Sequence, residues 1–152
     1  MRIKFKDIIY VGIQFLLFAM YLFEVKKLRF ELPDIFDFIM QPLMVTGIAV
    51  ILISLFQLNK NLSPFPSPKE NSELITTGLF SKMRHPIYSG ILLLAFSFAL
   101  YQNSEFKILI SFFLLILFYF KTGYEEKQLI LKFPEYKNYK NTTGRFLPKI
   151  KF

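Results

Sequence analysis

Four long stretches of the chain carry no charged residue. They cover residues 8–23, 38–59, 86–104 and 108–120. In each stretch the apolar residues form a continuous block, without the single stripe of a surface helix or the alternation of a half-buried strand. A helix that spans a membrane needs about 20 apolar residues, and the second and third stretches reach that length. The pattern therefore predicts transmembrane helices.

The first and fourth stretches are shorter, but basic residues flank both. Lysine side chains can place their stems in the hydrocarbon and extend their ammonium groups to the interface. This snorkelling is expected for Lys4, Lys6, Lys107 and Lys121. The first stretch is expected to stay as an anchor, because no small-x-small cleavage pattern follows it. A soluble protein of this length would lack the polar surface to cover four such helices.

The fourth helix is expected to continue beyond the membrane. Residues 121–132 favour an amphipathic helix, and Phe133-Pro134 ends it. Aromatic residues then recur at every third position through Tyr136 and Tyr139, which predicts a short helix starting near Pro134. The predicted fold is an all-α integral membrane protein with four transmembrane helices. The last helix runs from about residue 106 to 132 and extends into the cytoplasm, and a short helical tail follows it.

We expect a single membrane domain over residues 1–152. Residues 1–58 contain the first two transmembrane helices, and residues 59–85 form a cytoplasmic loop. Three alternate prolines between positions 64 and 68 keep part of this loop extended. Residues 86–152 form a helical hairpin and a C-terminal tail, which carry the candidate site.

Composition and charge exclude several classes of protein. The chain is 53% hydrophobic and 20% charged, contains no cysteine and has a formal net charge of +8. The apolar content excludes intrinsic disorder, and the lack of cysteine excludes a disulfide scaffold. Fifteen of the 19 basic residues fall in the N-terminus, the 59–85 loop and the tail. The positive-inside rule then predicts that both termini are cytoplasmic. The same distribution, with no recognisable module, leaves no role for nucleic acid.

The single histidine lies where the loop becomes the third apolar stretch, in Arg84-His85-Pro86-Ile87-Tyr88-Ser89-Gly90. Pro86 suits the first position of a helix. The free N–H groups and the positive dipole of that helix start, beside Arg84, favour an anion such as a carboxylate or phosphate. The alternative is that Arg84 and His85 only anchor the helix among lipid headgroups.

Two adjacent carboxylates, Glu125 and Glu126, follow the fourth apolar stretch on the same predicted membrane face. They could bind a cationic group, or they could form a solvated pair balanced by lysines at helical spacing. Both are expected near the surface. A site with a cationic end, an anionic end and tyrosines covering it would suit a zwitterionic, partly aromatic cofactor.

These motifs together resemble the isoprenylcysteine carboxyl methyltransferase family and its phospholipid N-methyltransferase relatives. The resemblance rests on residues 74–80 (LITTGLF), the Arg84–Gly90 motif, Glu125-Glu126-x-x-Leu129, residues 133–139 (FPEYKNY) and Arg145-Phe146-x-Pro148. It covers roughly residues 70–150. Their order and spacing around one apolar stretch make the set specific.

The resemblance implies a membrane-embedded methyltransferase that uses S-adenosylmethionine. It implies a lipid, lipidated or hydrophobic acceptor of the isoprenylcysteine-carboxylate type, which enters from the bilayer. It implies that the cofactor is held by Arg84, His85, Tyr88, Gly90, Glu125 and Glu126, with Tyr136 and Tyr139 matching the tail pattern. Arg145 is the candidate to orient an anionic acceptor. Two alternatives stay open: an enzyme that resembles the sterol reductases and uses NADPH, and a four-helix membrane protein with no enzymatic activity.

Overall fold

A computed structural model describes residues 4–25, 28 and 30–149. Five α-helices make up most of the described chain: α1 Phe5–Tyr21, α2 Ile35–Leu58, α3 Pro86–Tyr101, α4 Glu105–Lys132 and α5 Tyr136–Thr142. Short 3₁₀ turns cover Asn59–Asn61 and Gly78–Ser81. The described part of the chain is 69% helical and contains no strand. The predicted all-helical fold is therefore confirmed.

Two of the helices are long and apolar enough to cross a membrane. They are Ile35–Asn61, which includes the 3₁₀ turn after α2, and Glu105–Lys132. The predicted passage of the fourth helix past its apolar stretch is confirmed, since α4 continues to Lys132. Helices α1 and α3 have 17 and 16 residues, so the four-span arrangement stays a prediction. Many large apolar side chains on α1, α2 and α4 are exposed, as a lipid-facing surface requires.

The helix ends follow from local sequence. Pro86 is the first residue of α3, where its missing N–H costs no hydrogen bond. Ser104 caps α4 by accepting a hydrogen bond from the backbone N–H of Lys107. The tail helix begins at Tyr136, two residues after the predicted start near Pro134. Only residues 102–104 join α3 to α4, which makes the two helices an antiparallel hairpin.

Glycines bring α2 and α3 into close contact. A Cβ atom on Gly90 would lie 2.8 Å from the carbonyl oxygen of Gly47, and one on Gly47 would lie 3.0 Å from the carbonyl oxygen of Gly90. Small residues allow helix backbones in membranes to approach in this way. On the other side of α3, the core consists of Leu17, Leu92, Ala95, Ile110, Leu114, Leu117 and Phe118.

The snorkelling predicted for Lys107 and Lys121 is wrong. Their exposed fractions are 6% and 0%. The amine of Lys121 donates to Gln14 Oε1 at 2.5 Å and to the carbonyl oxygen of Pro64 at 3.0 Å. The amine of Lys107 donates to Gln102 Oε1. Oxygen atoms inside the protein thus replace the water that a snorkelling ammonium would reach.

The proline-rich loop lies against the end of α4. The amine of Lys132 donates to the carbonyl oxygens of Lys69 and Glu70 and to the hydroxyl of Ser72. These three hydrogen bonds hold the loop beside the last turns of α4, where the candidate carboxylates lie. The loop is therefore part of the wall around the candidate site.

Candidate functional site

The C-terminal tail returns to the start of α3 and pairs with it. The backbone N–H of Arg84 donates to the carbonyl oxygen of Gly144 at 2.8 Å, and that of His85 donates to the carbonyl oxygen of Arg145 at 3.0 Å. The hydroxyl of Ser89 donates to the carbonyl oxygen of Phe146 at 2.6 Å. Residues about 60 positions apart in sequence are in this way fixed side by side.

Gly144 permits this return. A Cβ atom at this position would lie 1.8 Å from the carbonyl oxygen of Leu147, so the turn admits only glycine. Gly144 was not among the residues predicted from the sequence to have a role. Its signal was present in the run Gly144-Arg145-Phe146-Leu147-Pro148, in which glycine and proline bracket a tight bend.

Glu126 is the centre of the charged cluster. Its Oε1 atom lies 2.8 Å from Nε of Arg84 and 3.3 Å from Nε2 of His85, and its Oε2 atom lies 2.9 Å from Nζ of Lys140. Nε of Arg145 is 3.8 Å from Oε1. Three elements, α3, α4 and the tail, therefore meet at one carboxylate.

The predicted surface position of Glu126 is wrong, because the residue is 1% exposed. Long-range pairing of the tail with α3 covers this turn of α4, which lies beyond the apolar stretch. Arg84 and His85 are also buried, at 9% and 6% exposure. Arg84 donates further hydrogen bonds to the carbonyl oxygens of Lys140 and Thr143. Arg84 and Glu126 thus form a buried pair that ties the elements together.

Glu125 has a different environment from its neighbour. Its Oε2 atom accepts a hydrogen bond from the hydroxyl of Tyr88 at 3.2 Å. The ring of Tyr88 stacks on those of His85 and Phe118, with centroid distances of 5.8 and 4.6 Å. The amine of Lys121, one helical turn before Glu125, lies 5.3 Å from the centroid of the Tyr88 ring. Among the described residues, Glu125 therefore has aromatic and basic neighbours but not the multiple ion pairs of Glu126.

Two cavities meet at these side chains. One has a volume of about 100 Å³ and the other about 260 Å³. Both are lined by Leu58, Ser63, Phe80, Arg84, His85 and Glu125. Their combined size is at the lower end of small-molecule sites, which are roughly 300–1,000 Å³. Since the shared residues include 58 and 63, the cavities involve more of the chain than residues 86–152.

The remaining predicted residues are divided among different places. Tyr136 and Tyr139 line the smaller cavity and Tyr88 lines the larger one. Gly90 lies at the crossing of α2 and α3. Arg145 lines a separate cavity between α1 and α4, with its guanidinium 4.7 Å from the centroid of the Tyr119 ring. Glu126 lines neither of these two cavities but contacts Arg84 and His85, which line both.

The model of the phospholipid methyltransferase family matches residues 36–135, from the start of α2 to the residue before α5. The chain belongs to this family. The phospholipid methyltransferases are part of the isoprenylcysteine carboxyl methyltransferase-like group, so the resemblance found in the motifs is confirmed. No curated protein matches the chain significantly. The matched region contains Arg84, His85, Tyr88, Glu125 and Glu126 and ends before the tail residues.

A buried hydroxyl group tests whether the cavities of this phospholipid methyltransferase family member suit a polar cofactor. Tyr136 lines the smaller cavity, and its hydroxyl oxygen is buried with no hydrogen-bond partner among the described residues. Burial raises the pKa of Tyr136, and it raises the pKa of Tyr139 to about 12. Both phenols therefore remain hydrogen-bond donors at neutral pH. An unpaired buried hydroxyl is costly, and a polar ligand would satisfy that of Tyr136.

Several residues of the cavities were not predicted from the sequence to belong to the site. Lys121 and Gln14 line the larger cavity, and the amine of Lys121 donates a hydrogen bond to Gln14 Oε1. Lys121 lies four residues before Glu125, which places the two on one face of α4. That spacing was visible in the sequence. Gln14 and Ser67 gave no such signal, because only the packing of α1 and the loop brings them here.

Proposed function

We propose that this member of the phospholipid methyltransferase family transfers a methyl group from S-adenosylmethionine to a lipid, lipidated or hydrophobic acceptor. The family match supports methyl transfer on a lipid-type substrate. One observation carries the assignment of the cofactor. The carboxylate of Glu125 lies beside basic groups in a cavity where the buried hydroxyl of Tyr136 has no hydrogen-bond partner among the described residues.

S-adenosylmethionine, when bound, supplies an ammonium, a carboxylate, an adenosine and a methyl group already activated on a sulfonium. Glu125 would accept hydrogen bonds from the ammonium group. The free N–H groups at the start of α3, together with Arg84 and His85, favour the carboxylate. The Tyr136 hydroxyl would pair with a polar atom of the adenosine. The cavity residues thus match each polar part of the molecule.

The acceptor is proposed to reach the apolar side of the larger cavity, because the cofactor needs much of the combined volume of the two cavities. The wall of the larger cavity includes the apolar residues Leu62, Ile87 and Ile91 together with the amine of Lys121. The role of the chain's own residues is to bind the two reactants in line and to exclude water, because the methyl group needs no further activation. Burial of His85 and Lys121 beside the cavity places two groups that can hold a proton near an acceptor.

The proposed topology has four spans with both termini in the cytoplasm. It places the buried charged cluster and both cavities at the cytoplasmic end of the bundle, where a water-soluble cofactor and a membrane acceptor can meet. The asymmetry of the basic residues supports this orientation.

Membranes containing the protein, incubated with cofactor labelled on its methyl group, test the function. We expect label in a lipid-extractable product that is absent with the Glu125→Gln variant and present with the Glu135→Gln control. Glu135 is exposed and lies outside the cavities. Label confined to water-soluble products, or equal labelling by Glu125→Gln, would contradict the proposal.

A further inference from the structure

A second cavity system lies between α1 and α4. Its outer part has a volume of about 550 Å³ and is lined by three basic side chains, those of Lys6, Lys127 and Arg145. No acidic residue occurs among its described lining residues. Its walls are aromatic, and the rings of Tyr10 and Tyr124 stack there with a centroid distance of 5.7 Å. A concentrated positive charge beside aromatic rings favours an anion attached to an apolar body.

The cavity continues along both helices as an apolar groove. The deeper part has a volume of about 400 Å³ and shares Tyr10 and Phe120 with the outer part. It is otherwise lined by Ile13, Leu17, Phe113, Ile116 and Leu117. The basic residues are therefore confined to one end of the groove, and the apolar residues to the other.

The length of the groove fits one leaflet of a bilayer. From Lys127 to Phe113 the axis of α4 covers about 21 Å at 1.5 Å per residue. Half of a typical hydrocarbon core is about 15 Å, with the headgroup region beyond it. A molecule with an anionic head near Lys127 and a chain reaching Phe113 would lie parallel to the helices.

Gly123 keeps the outer part open. A Cβ atom at this position would meet nothing within 4 Å, so the packing of the helices does not require glycine here. Glycine inside a helix is nevertheless unfavourable relative to alanine. Its missing side chain enlarges the space between the basic residues and the aromatic walls.

We propose that this groove binds one anionic phospholipid, with its phosphate among Lys6, Lys127 and Arg145 and one acyl chain along the apolar groove. The site is separate from the two cavities proposed for methyl transfer, and the lipid in it is a resident ligand. Arg145 belongs to both regions, since its Nε atom lies 3.8 Å from Oε1 of Glu126. The bound phosphate would therefore reinforce the position of the tail.

Native mass spectrometry of the protein from mixed micelles tests this site. The micelles contain equal amounts of phosphatidylglycerol and phosphatidylcholine with the same acyl chains. The phosphatidylglycerol head is charged but has no amine, thiol or carboxylate to methylate, so binding is measured independently of activity. The parent protein is expected to be a monomer that retains one phosphatidylglycerol in preference to phosphatidylcholine.

Two variants and a charge-matched control decide the result. The Lys6→Gln/Lys127→Gln variant should lose that preference by about ten-fold or more, because each basic group near a membrane surface contributes to anionic-lipid binding. Gly123→Leu should lower retention of both lipids by filling the groove. Lys82→Gln/Lys137→Gln removes two exposed basic residues elsewhere on the same predicted face and should behave like the parent.

Three outcomes would overturn the proposal. The first is equal retention of the two lipids by the parent protein. The second is an equal loss in the control variant, which would indicate only net charge. The third is that the parent protein forms a lipid-free dimer and the Lys6→Gln/Lys127→Gln variant is a monomer. That result would assign the groove to a second copy of the chain.

Discussion

At the scale of single residues, the adjacent carboxylates Glu125 and Glu126 have different surroundings. Successive residues of a helix point about 100° apart. Glu126 consequently faces the Arg84 side chain and the tail, whereas Glu125 faces the cavities. The sequence indicated that the pair binds a cationic group, but it did not separate the two roles. Their separation depends on which face of α4 the tail covers.

Glu126→Gln is expected to destabilise the protein by about 3–5 kcal/mol, because breaking a buried ion pair leaves an uncompensated charge on Arg84. Glu125→Gln should keep the parent stability. Thermal unfolding in detergent measures both, with Glu135→Gln as the exposed control. If Glu126→Gln unfolds at the parent temperature, the cluster does not stabilise the fold.

Removing the hydroxyl group is expected to affect stability differently at the two tail tyrosines. Tyr136→Phe removes a buried hydroxyl without a described partner, so stability should be unchanged or slightly raised while affinity for S-adenosylmethionine falls. Tyr139→Phe removes the hydrogen bond to the carbonyl oxygen of Phe80 and should cost about 1 kcal/mol. Unfolding and binding measurements on both variants check this. Loss of stability in Tyr136→Phe with unchanged affinity would argue against the cofactor contact.

At the scale of helices, the apolar stretches predicted the elements well, because unbroken apolar runs and the prolines at positions 86 and 134 mark helix bodies and ends. The pattern could not predict which groups are buried beyond the apolar stretches. Lys121 is buried by partners from α1 and the loop, and Glu126 is buried by the return of the tail. Both depend on contacts between residues far apart in the sequence.

The crossing of α2 and α3 gives a prediction for Gly90. Gly90→Ala would place a Cβ atom 2.8 Å from the carbonyl oxygen of Gly47, and the resulting separation of the helices should cost about 1–3 kcal/mol. Gly12→Ala on α1 is the matched control, since its Cβ atom would meet nothing within 4 Å. Unfolding in denaturant compares the two. Equal stability of the two variants would show that the close approach contributes nothing.

At the scale of the whole molecule, the candidate site lies at one end of the helices, and exposed apolar side chains cover the sides of α1, α2 and α4. The buried cluster, both cavities and most basic residues lie in the parts of the chain predicted to be cytoplasmic. A hydrophobic acceptor that diffuses in the membrane could reach this end without leaving the bilayer. The family match supports a membrane methyltransferase that acts on lipid-type substrates, and the charge distribution supports the proposed orientation.

Reporter fusions test the topology. We expect a reporter at either terminus, in separate fusions, to be active only on the cytoplasmic side, because 15 of the 19 basic residues lie in segments assigned to that face. A fusion at residue 103, between α3 and α4, serves as the control and should report the opposite side. Termini on opposite sides would contradict the four-span arrangement.

Calorimetric titration of the detergent-purified protein with S-adenosylmethionine and, separately, with NADPH tests which cofactor the cavities bind. We predict binding of S-adenosylmethionine but not of NADPH, a loss of affinity of about ten-fold or more in Glu125→Gln, and unchanged affinity in Glu135→Gln. Binding of NADPH alone, or equal affinity of the two variants for S-adenosylmethionine, would contradict this prediction.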